Sequence, residues 1–108
     1  GTIFQSQVAV KIILLNNSFL GMVRQWQELF YNRNYSHTNM EAQPDFVKLA
    51  EAYGAEGYRI SKPEELEDVL RKALTSPNPA FIDVMVEREE NVYPMVPAGA
   101  ALDEMLLV

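Results

Sequence analysis

The chain contains no cysteine, which excludes disulfides, a thiolate nucleophile and any cysteine-ligated metal. Histidine occurs once, at His37. Ser36 beside it suggests no catalytic pair, because sequence neighbours are not expected to face each other as nucleophile and base must. No apolar run approaches the roughly 20 residues a membrane helix needs; Val8 to Leu15 is the longest, and Lys11 interrupts it. Positive charge is scarce as well. The formal net charge is −6, against a nucleic-acid surface, which would show a basic patch. No signal-peptide pattern is present, so the expected location is cytoplasmic, or the stroma or matrix of an organelle in a eukaryote. Two Asn-x-Ser triplets, at Asn16 and Asn34, then read as chance matches to the glycosylation pattern.

What is present suits one globular domain. The chain has 108 residues with 48% hydrophobic content, enough for a real core. The charge is uneven: Lys11, Arg24 and Arg33 outnumber Glu28 before residue 41, and acids dominate afterwards. A locally basic start beside an acidic remainder tolerates a phosphorylated ligand near the first segment, although ordinary solvated faces explain the charges equally well.

Residues 1–7 lack periodicity and read as an N-terminal arm or a join to foreign sequence. Val8 to Leu15 is nearly all apolar and β-branched, the pattern of a strand buried on both faces. Gly21 to Phe30 carries a helical stripe of Met22, Val23, Trp26, Leu29 and Phe30. Tyr31 to Gln43 is a polar loop. A second helix is predicted to begin near Asp45 and end at Gly54, with Phe46, Leu49, Ala50 and Tyr53 on one face. A short strand follows over Gly57 to Ile60. The third helix has the strongest local signals: a Ser61–Glu64 capping box, Pro63 in the first turn, and a stripe of Leu66, Val69, Leu70, Ala73 and Leu74. Pro77 and Pro79 end it. Ala80 to Val86 is another apolar strand, polar only at Asp83. A loop over Val92 to Gly99 precedes a short helix from about Leu102.

The order strand, helix, helix, strand, helix, strand, with long crossovers, predicts an α/β fold. The expected architecture is a partial doubly wound parallel sheet of about three strands with flanking helices. Such sheets normally carry more strands and helices than this chain supplies, so it reads as part of a larger domain.

Asn16 and Asn17 close the first strand. In parallel sheets ligands sit beyond the carboxyl ends of the strands. Paired amides there offer uncharged oxygens suited to a hard cation, such as magnesium, that already carries a diphosphate. By residue type alone the pair reads first as a turn after a strand and second as metal ligands.

The segment from Asn16 through Tyr31 closely resembles the acetohydroxyacid synthase (acetolactate synthase) catalytic subunit. Pro44 to Gly54 and the tail from Glu90 to Gly99 are similar to that family as well. The resemblance spreads over residues 8–108, identified as a partial C-terminal thiamine diphosphate-binding domain, and leaves the first few residues outside. Gln25-Trp26 and Tyr93-Pro94-Met95 look characteristic of the family, whereas paired asparagines occur in many thiamine diphosphate enzymes.

The resemblance implies a share in a thiamine diphosphate and magnesium site. Asn17 matches the family's magnesium-binding side chain, and Phe19 the position that adds a backbone carbonyl. Cofactor contact is implied for Asn17, Phe19, Leu20, Gly21 and Met22. Val23, Trp26 and Ala98 match a substrate channel, with Met22 and Gly99 beside it. A rigid indole in such a channel discriminates small alkyl groups by fit, worth about 1–3 kcal/mol per methylene. The family's motif opens with Gly-Asp-Gly, and residues 1–7 contain no counterpart of its aspartate, so magnesium binding by this chain alone is expected to be weak. The activating glutamate and the flavin (FAD) domain of the parent enzyme have no counterpart here either, and no catalytic residue is assigned.

Other polar residues read plainly. His37 is a loop residue, Glu64, Glu65, Glu67 and Asp68 form a solvated helix face, and Asp83 is a strand-end polar group. The expected function is that of a cofactor-domain piece of acetolactate synthase, which decarboxylates pyruvate and joins the two-carbon unit to a second 2-oxo acid in branched-chain amino acid synthesis. Alone, the chain is expected to be inactive. The alternative is a non-catalytic fragment that self-associates through uncovered surfaces. A homo-oligomer is expected, with neither nucleic acid nor membrane as partner.

Overall fold

The computed structural model describes residues 1–107. Three strands form one open sheet: β1 (Lys11–Asn16), β2 (Glu56–Ile60) and β3 (Ala80–Met85). Their spatial order is β1-β3-β2 and both pairings are parallel. Lys11 lies opposite Ala80 and Asn16 opposite Met85, while Glu56 and Ile60 lie opposite Ala80 and Val84. The helices are α1 (Thr2–Gln5), α2 (Gly21–Phe30), α3 (Phe46–Ala52) and α4 (Leu66–Thr75). Single 3-10 turns cover Pro63–Glu65 and Leu102–Glu104. The expected α/β sheet of three parallel strands with flanking helices is what forms. No helix among the described residues is long and apolar enough to cross a membrane.

Alternation along the strands divides the sheet into two faces. Ile60, Ala80 and Ile82 point to one face and pack with Ala73 of α4, surrounded by Tyr58, Val69, Leu70 and Val84. On the other face the Phe81 ring stacks on Phe46 of α3 at 5.9 Å. Gly57 permits that approach: a Cβ there would stand 2.7 Å from the Val47 carbonyl oxygen.

Local signals placed α3 and α4 well. The Asp45 carboxylate accepts hydrogen bonds from the Val47 and Lys48 amides, at 3.1 and 3.3 Å. Gly54 ends the helix at φ +79°, a conformation that favours glycine. At α4 the capping acid is Glu65 rather than the expected Glu64; its carboxylate accepts from the Ser61 and Lys62 amides. The turn over Pro63–Glu65 is capped from Lys62, one residue later than Ser61, so the acid three residues on is Glu65.

Residues 2–5 form one helical turn within the N-terminal segment, and the Phe4 ring lies over Gly54. Three further expectations are corrected. β1 starts at Lys11, and it is not buried on both faces: Ile12, Ile13 and Leu15 are exposed. It is an edge strand, paired only to β3. The apolar stripe of α2 is likewise exposed at Met22, Val23, Trp26 and Phe30, while Arg24 and Gln25 are the buried residues. Lastly, Asp83 lies inside β3 at 1% exposure, not at a strand end.

Candidate cofactor site

The two asparagines part company at the end of β1. Asn16 is buried, and its amide nitrogen donates to Asp83 Oδ1 at 2.9 Å. Its oxygen accepts from the Ser18 amide at 3.0 Å and from Gln43 Nε2 at 3.1 Å. Asn17 remains half-buried at the crest. Its oxygen accepts from the Phe19 amide at 3.0 Å, and its nitrogen reaches the Arg88 carbonyl at 3.4 Å. Two successive Asx turns therefore shape residues 16–19. Between them Ser18 adopts φ 59°, a left-handed conformation uncommon for serine.

The strap following α2 closes over this turn. Leu20 donates its amide to the Thr38 carbonyl and Met40 donates to Ser18, at 2.9 and 2.8 Å, so Phe19 and Asn39 form an antiparallel bridge. The Arg24 and Arg88 guanidinium groups both lie over the Phe19 ring, 5.3 and 4.9 Å from its centroid, a favourable arrangement for cations over a π face. Gly21 opens α2 directly above Asn17; a Cβ there would stand 3.3 Å from Asn17 Nδ2.

Beyond the turn, Met22, Val23 and Trp26 line one open cavity of about 610 Å³, together with Gln27, Tyr31 and Asn34. The structure thus gathers the three expected wall residues of α2 in one cavity, while Asn17, Phe19, Leu20 and Gly21 lie outside its lining. Ala98 and Gly99 are exposed in the tail and lie outside the lining of that cavity.

The inverted burial of α2 has a cause in the same tail. Gln25, at 1% exposure, donates from Nε2 to the Val92 carbonyl at 2.9 Å and accepts from the Val92 amide at 2.8 Å. Arg24 pairs with Glu28 at 2.8 Å and approaches Glu89 at 3.6 Å. The Asn91 amide, and then Arg24 and Arg33, hold the Glu28 carboxyl below its ordinary range.

Asp83 belongs to a polar group beneath the crest. Arg59 donates from Nε to Asp83 at 3.1 Å and from Nη2 to Asp45 at 3.0 Å, and these contacts, Asp83 first, raise the guanidinium pKa. Sequence reasoning missed Arg59 and Gln43 in this role; the one available signal was a lone carboxylate inside an apolar strand. Contrary to expectation, Ser36 Oγ does lie 2.7 Å from His37 Nδ1. His37 sits at φ 54°, which turns adjacent side chains together, but both residues are exposed on the loop.

Among the described residues no group of three or more His, Cys, Asp or Glu side chains can hold a metal. The crest supplies neutral oxygens instead, presented beside an uncovered helix start and an apolar wall.

A model of the thiamine pyrophosphate enzyme C-terminal TPP binding domain matches residues 1–84. The chain belongs to this family. The match starts at residue 1, so it takes in the first seven residues that the sequence resemblance left outside. Over 107 residues the chain is 49% identical to the acetolactate synthase large subunit of Haemophilus influenzae, covering 98% of this chain and 19% of the relative. It is 44% identical over 106 residues to the acetolactate synthase isozyme 2 large subunit of Escherichia coli, again covering 98% of this chain and 19% of the relative. Among solved structures it is similar to the thiamine diphosphate-dependent 4-hydroxybenzoylformate decarboxylase of Rhodococcus jostii, with TM-score 0.75 and 28% identity over 83% of this chain and 17% of that one. The chain therefore spans about a fifth of the length of the curated relatives it matches. This TPP binding domain places its asparagine turn at the carboxyl crest of the parallel sheet, where α/β folds receive ligands.

Proposed function

We propose that this TPP binding domain serves an acetolactate synthase, contributing one wall of a thiamine diphosphate and magnesium site. The observation that carries this reading is the presentation of Asn17 at the end of β1 against Gly21, at the start of the helix whose Met22, Val23 and Trp26 line an open apolar cavity. An amide oxygen has two lone pairs, and Asn17 Oδ1 accepts a hydrogen bond from Phe19, which leaves one for a cation. Magnesium commonly takes few protein ligands and completes its shell with phosphate and water, so the neutral donors of Asn17 and the Phe19 carbonyl fit a cation that arrives with a diphosphate.

When bound, thiamine diphosphate supplies the electron sink for decarboxylating a 2-oxo acid. The residues of this chain would hold and orient it. Asn17 and Phe19 would ligate the cation, Leu20, Gly21 and Met22 would pack along the cofactor, and Val23 and Trp26 would wall the substrate side. Ala98, outside the lining of that cavity, would belong to the substrate side through the tail that Gln25 anchors at Val92. Pyruvate and a second 2-oxo acid as substrates, FAD as a further cofactor, and a homo-oligomeric assembly belong to the whole synthase in this proposal.

Grafting this chain in place of the matching segment of the Escherichia coli isozyme 2 large subunit tests the reading. The graft is expected to form acetolactate from pyruvate, and Asn17→Ala in the graft to abolish it. A folded graft without activity refutes the proposal. The isolated chain is expected to form none.

A second reading rests on a separate observation, the exposure of Ile12, Ile13 and Leu15 on an edge strand. Such an edge pairs readily with another chain, so the chain by itself is expected to self-associate. Sedimentation as a clean monomer at high concentration refutes this.

A further inference from the structure

We propose that Asp83 is a positioning residue for the cofactor turn, acting through Asn16 on the geometry of Asn17. The cofactor part of this inference rests on the proposal above; the geometric part stands without it.

The chain of contacts is short. Asp83 sits in the central strand at 1% exposure and touches neither Ser18, Asn17 nor Phe19 through a hydrogen bond of its own; its partners are Asn16 and Arg59. An ionised carboxylate only accepts hydrogen bonds. It therefore dictates which end of the Asn16 amide faces it: the NH₂ group turns toward Asp83, and the carbonyl oxygen must turn toward the loop. There it accepts from the Ser18 amide and from Gln43. With the opposite orientation the Asn16 NH₂ would confront the Ser18 N–H, donor against donor, and the first Asx turn would be lost.

That turn holds Ser18 at φ 59°, a conformation an unanchored serine leaves readily. Ser18 in turn precedes Phe19, whose amide bonds the Asn17 oxygen at 3.0 Å. Loss of the first turn thus frees the second, and the two donors assigned to the cation lose their common geometry. Arg59 is 42% exposed at its side chain and bridges Asp83 to Asp45. Its Nε donates to Asp83 Oδ2 at 3.1 Å, which leaves Oδ1 for the Asn16 amide nitrogen. The same crest contact seen from Gln43 ties the strap before α3 to the turn.

Two variants separate positioning from a general structural role. Asp83→Val keeps a strand-favouring shape and removes the acceptor for Asn16. Asp83→Asn retains one acceptor oxygen for Asn16 and removes the charge that pairs with Arg59. Amide hydrogen exchange of the full chain is read at Ser18 and Phe19, with Ile82 as the reporter for the sheet. In Asp83→Val, exchange at Ser18 and Phe19 is expected to quicken about tenfold, as for loss of one buried hydrogen bond, while Ile82 stays protected. In Asp83→Asn the turn is expected to stay within about twofold of the unaltered chain, since the acceptor is kept. Magnesium with thiamine diphosphate, titrated against Trp26 fluorescence, is expected to weaken in the same order.

Unchanged exchange at Ser18 and Phe19 in a folded Asp83→Val overturns the inference. So does equal loss in both variants, because that would place the effect on the Arg59 ion pair. If Asp83→Val fails to fold, Asp83→Ala, which also removes the acceptor, is read in its place: faster exchange at Ser18 and Phe19 with Ile82 protected supports positioning, and unchanged exchange overturns it. Absence of cofactor binding by the unaltered chain and by the graft counts against the cofactor site, and the exchange pattern still judges the relay.

Discussion

Gln25 offers the most direct probe of how the tail is attached. Its amide exchanges two hydrogen bonds with the Val92 backbone, at 2.9 and 2.8 Å, from a fully buried position. Gln25→Met keeps the length and volume of the side chain and deletes both bonds, together with the weaker contact of Nε2 with Met95 Sδ at 3.1 Å. The Val92 side chain is exposed, so water can reach its freed backbone groups, and the ordinary net value of about 1 kcal/mol per bond applies rather than a full burial penalty. The attachment should weaken by about 2 kcal/mol, a factor of about thirty in the opening equilibrium. Gln25→Ala adds a cavity, and its total cost rises to about 3–4 kcal/mol. The assay is amide exchange at Met95 and Leu106, which donate to each other's carbonyls at 3.0 and 2.7 Å. Both amides should exchange about thirtyfold faster in Gln25→Met, with Ile82 and Ile60 unaffected. Unchanged exchange at Met95 and Leu106 refutes the anchoring role. Equal loss at Ile82 refutes the claim that the tail opens separately from the sheet.

Three further outcomes are expected. Gly57→Ala should lower the urea midpoint by an amount equivalent to about 1–3 kcal/mol, the usual cost of overpacking, since the new Cβ meets the Val47 carbonyl oxygen at 2.7 Å; an unchanged midpoint refutes the close approach of α3 to β2. Asn78, Tyr58 and Ser76 donate to the Glu56 carboxylate and hold its pKa down from 4.5 to about 2. A depressed carboxyl stabilises the fold when ionised, so this contribution is full above about pH 4.5 and is lost as pH falls toward about 2. The stability difference between the unaltered chain and Glu56→Gln should therefore shrink across that window, and a difference independent of pH refutes the assignment. Gly21→Ala adds a good helix former at the start of α2 but crowds Asn17 Nδ2 at 3.3 Å; thermal stability should hold while magnesium–thiamine diphosphate binding weakens, and unchanged binding refutes the placement of Asn17.

Much of the fold was legible because its signals are local. Asp45 and Gly54 bound α3 from within a few residues, and Pro63, Pro77 and the 3.6-residue spacing of Val69, Leu70 and Ala73 mark α4. The two apolar strands and the crossover lengths imply a parallel sheet. The turn at Asn16–Asn17 was legible for the same reason, since amide side chains close turns on their own backbone. Burial was not legible in this way. The stripe on α2 is a sound helical pattern, yet the side that packs is the polar one, because Val92 offers the Gln25 amide a backbone partner from 67 positions away. β1 reads as a strand buried on both faces and is exposed at an edge, because composition reports what a strand tolerates and not which neighbours it has.

By itself, the sequence determined the element order from β1 onward, the parallel α/β class and the family, all of which follow from patterns within short windows and from identity along the chain. Tertiary structure decided that Asn16 turns inward to Asp83 while Asn17 stays at the crest, and that Arg59 and Gln43 join them. The reason is directional: a hydrogen bond requires two groups to meet at about 3 Å and a suitable angle, and only the folding of β1 beside β3 brings residues 16 and 83 to that distance.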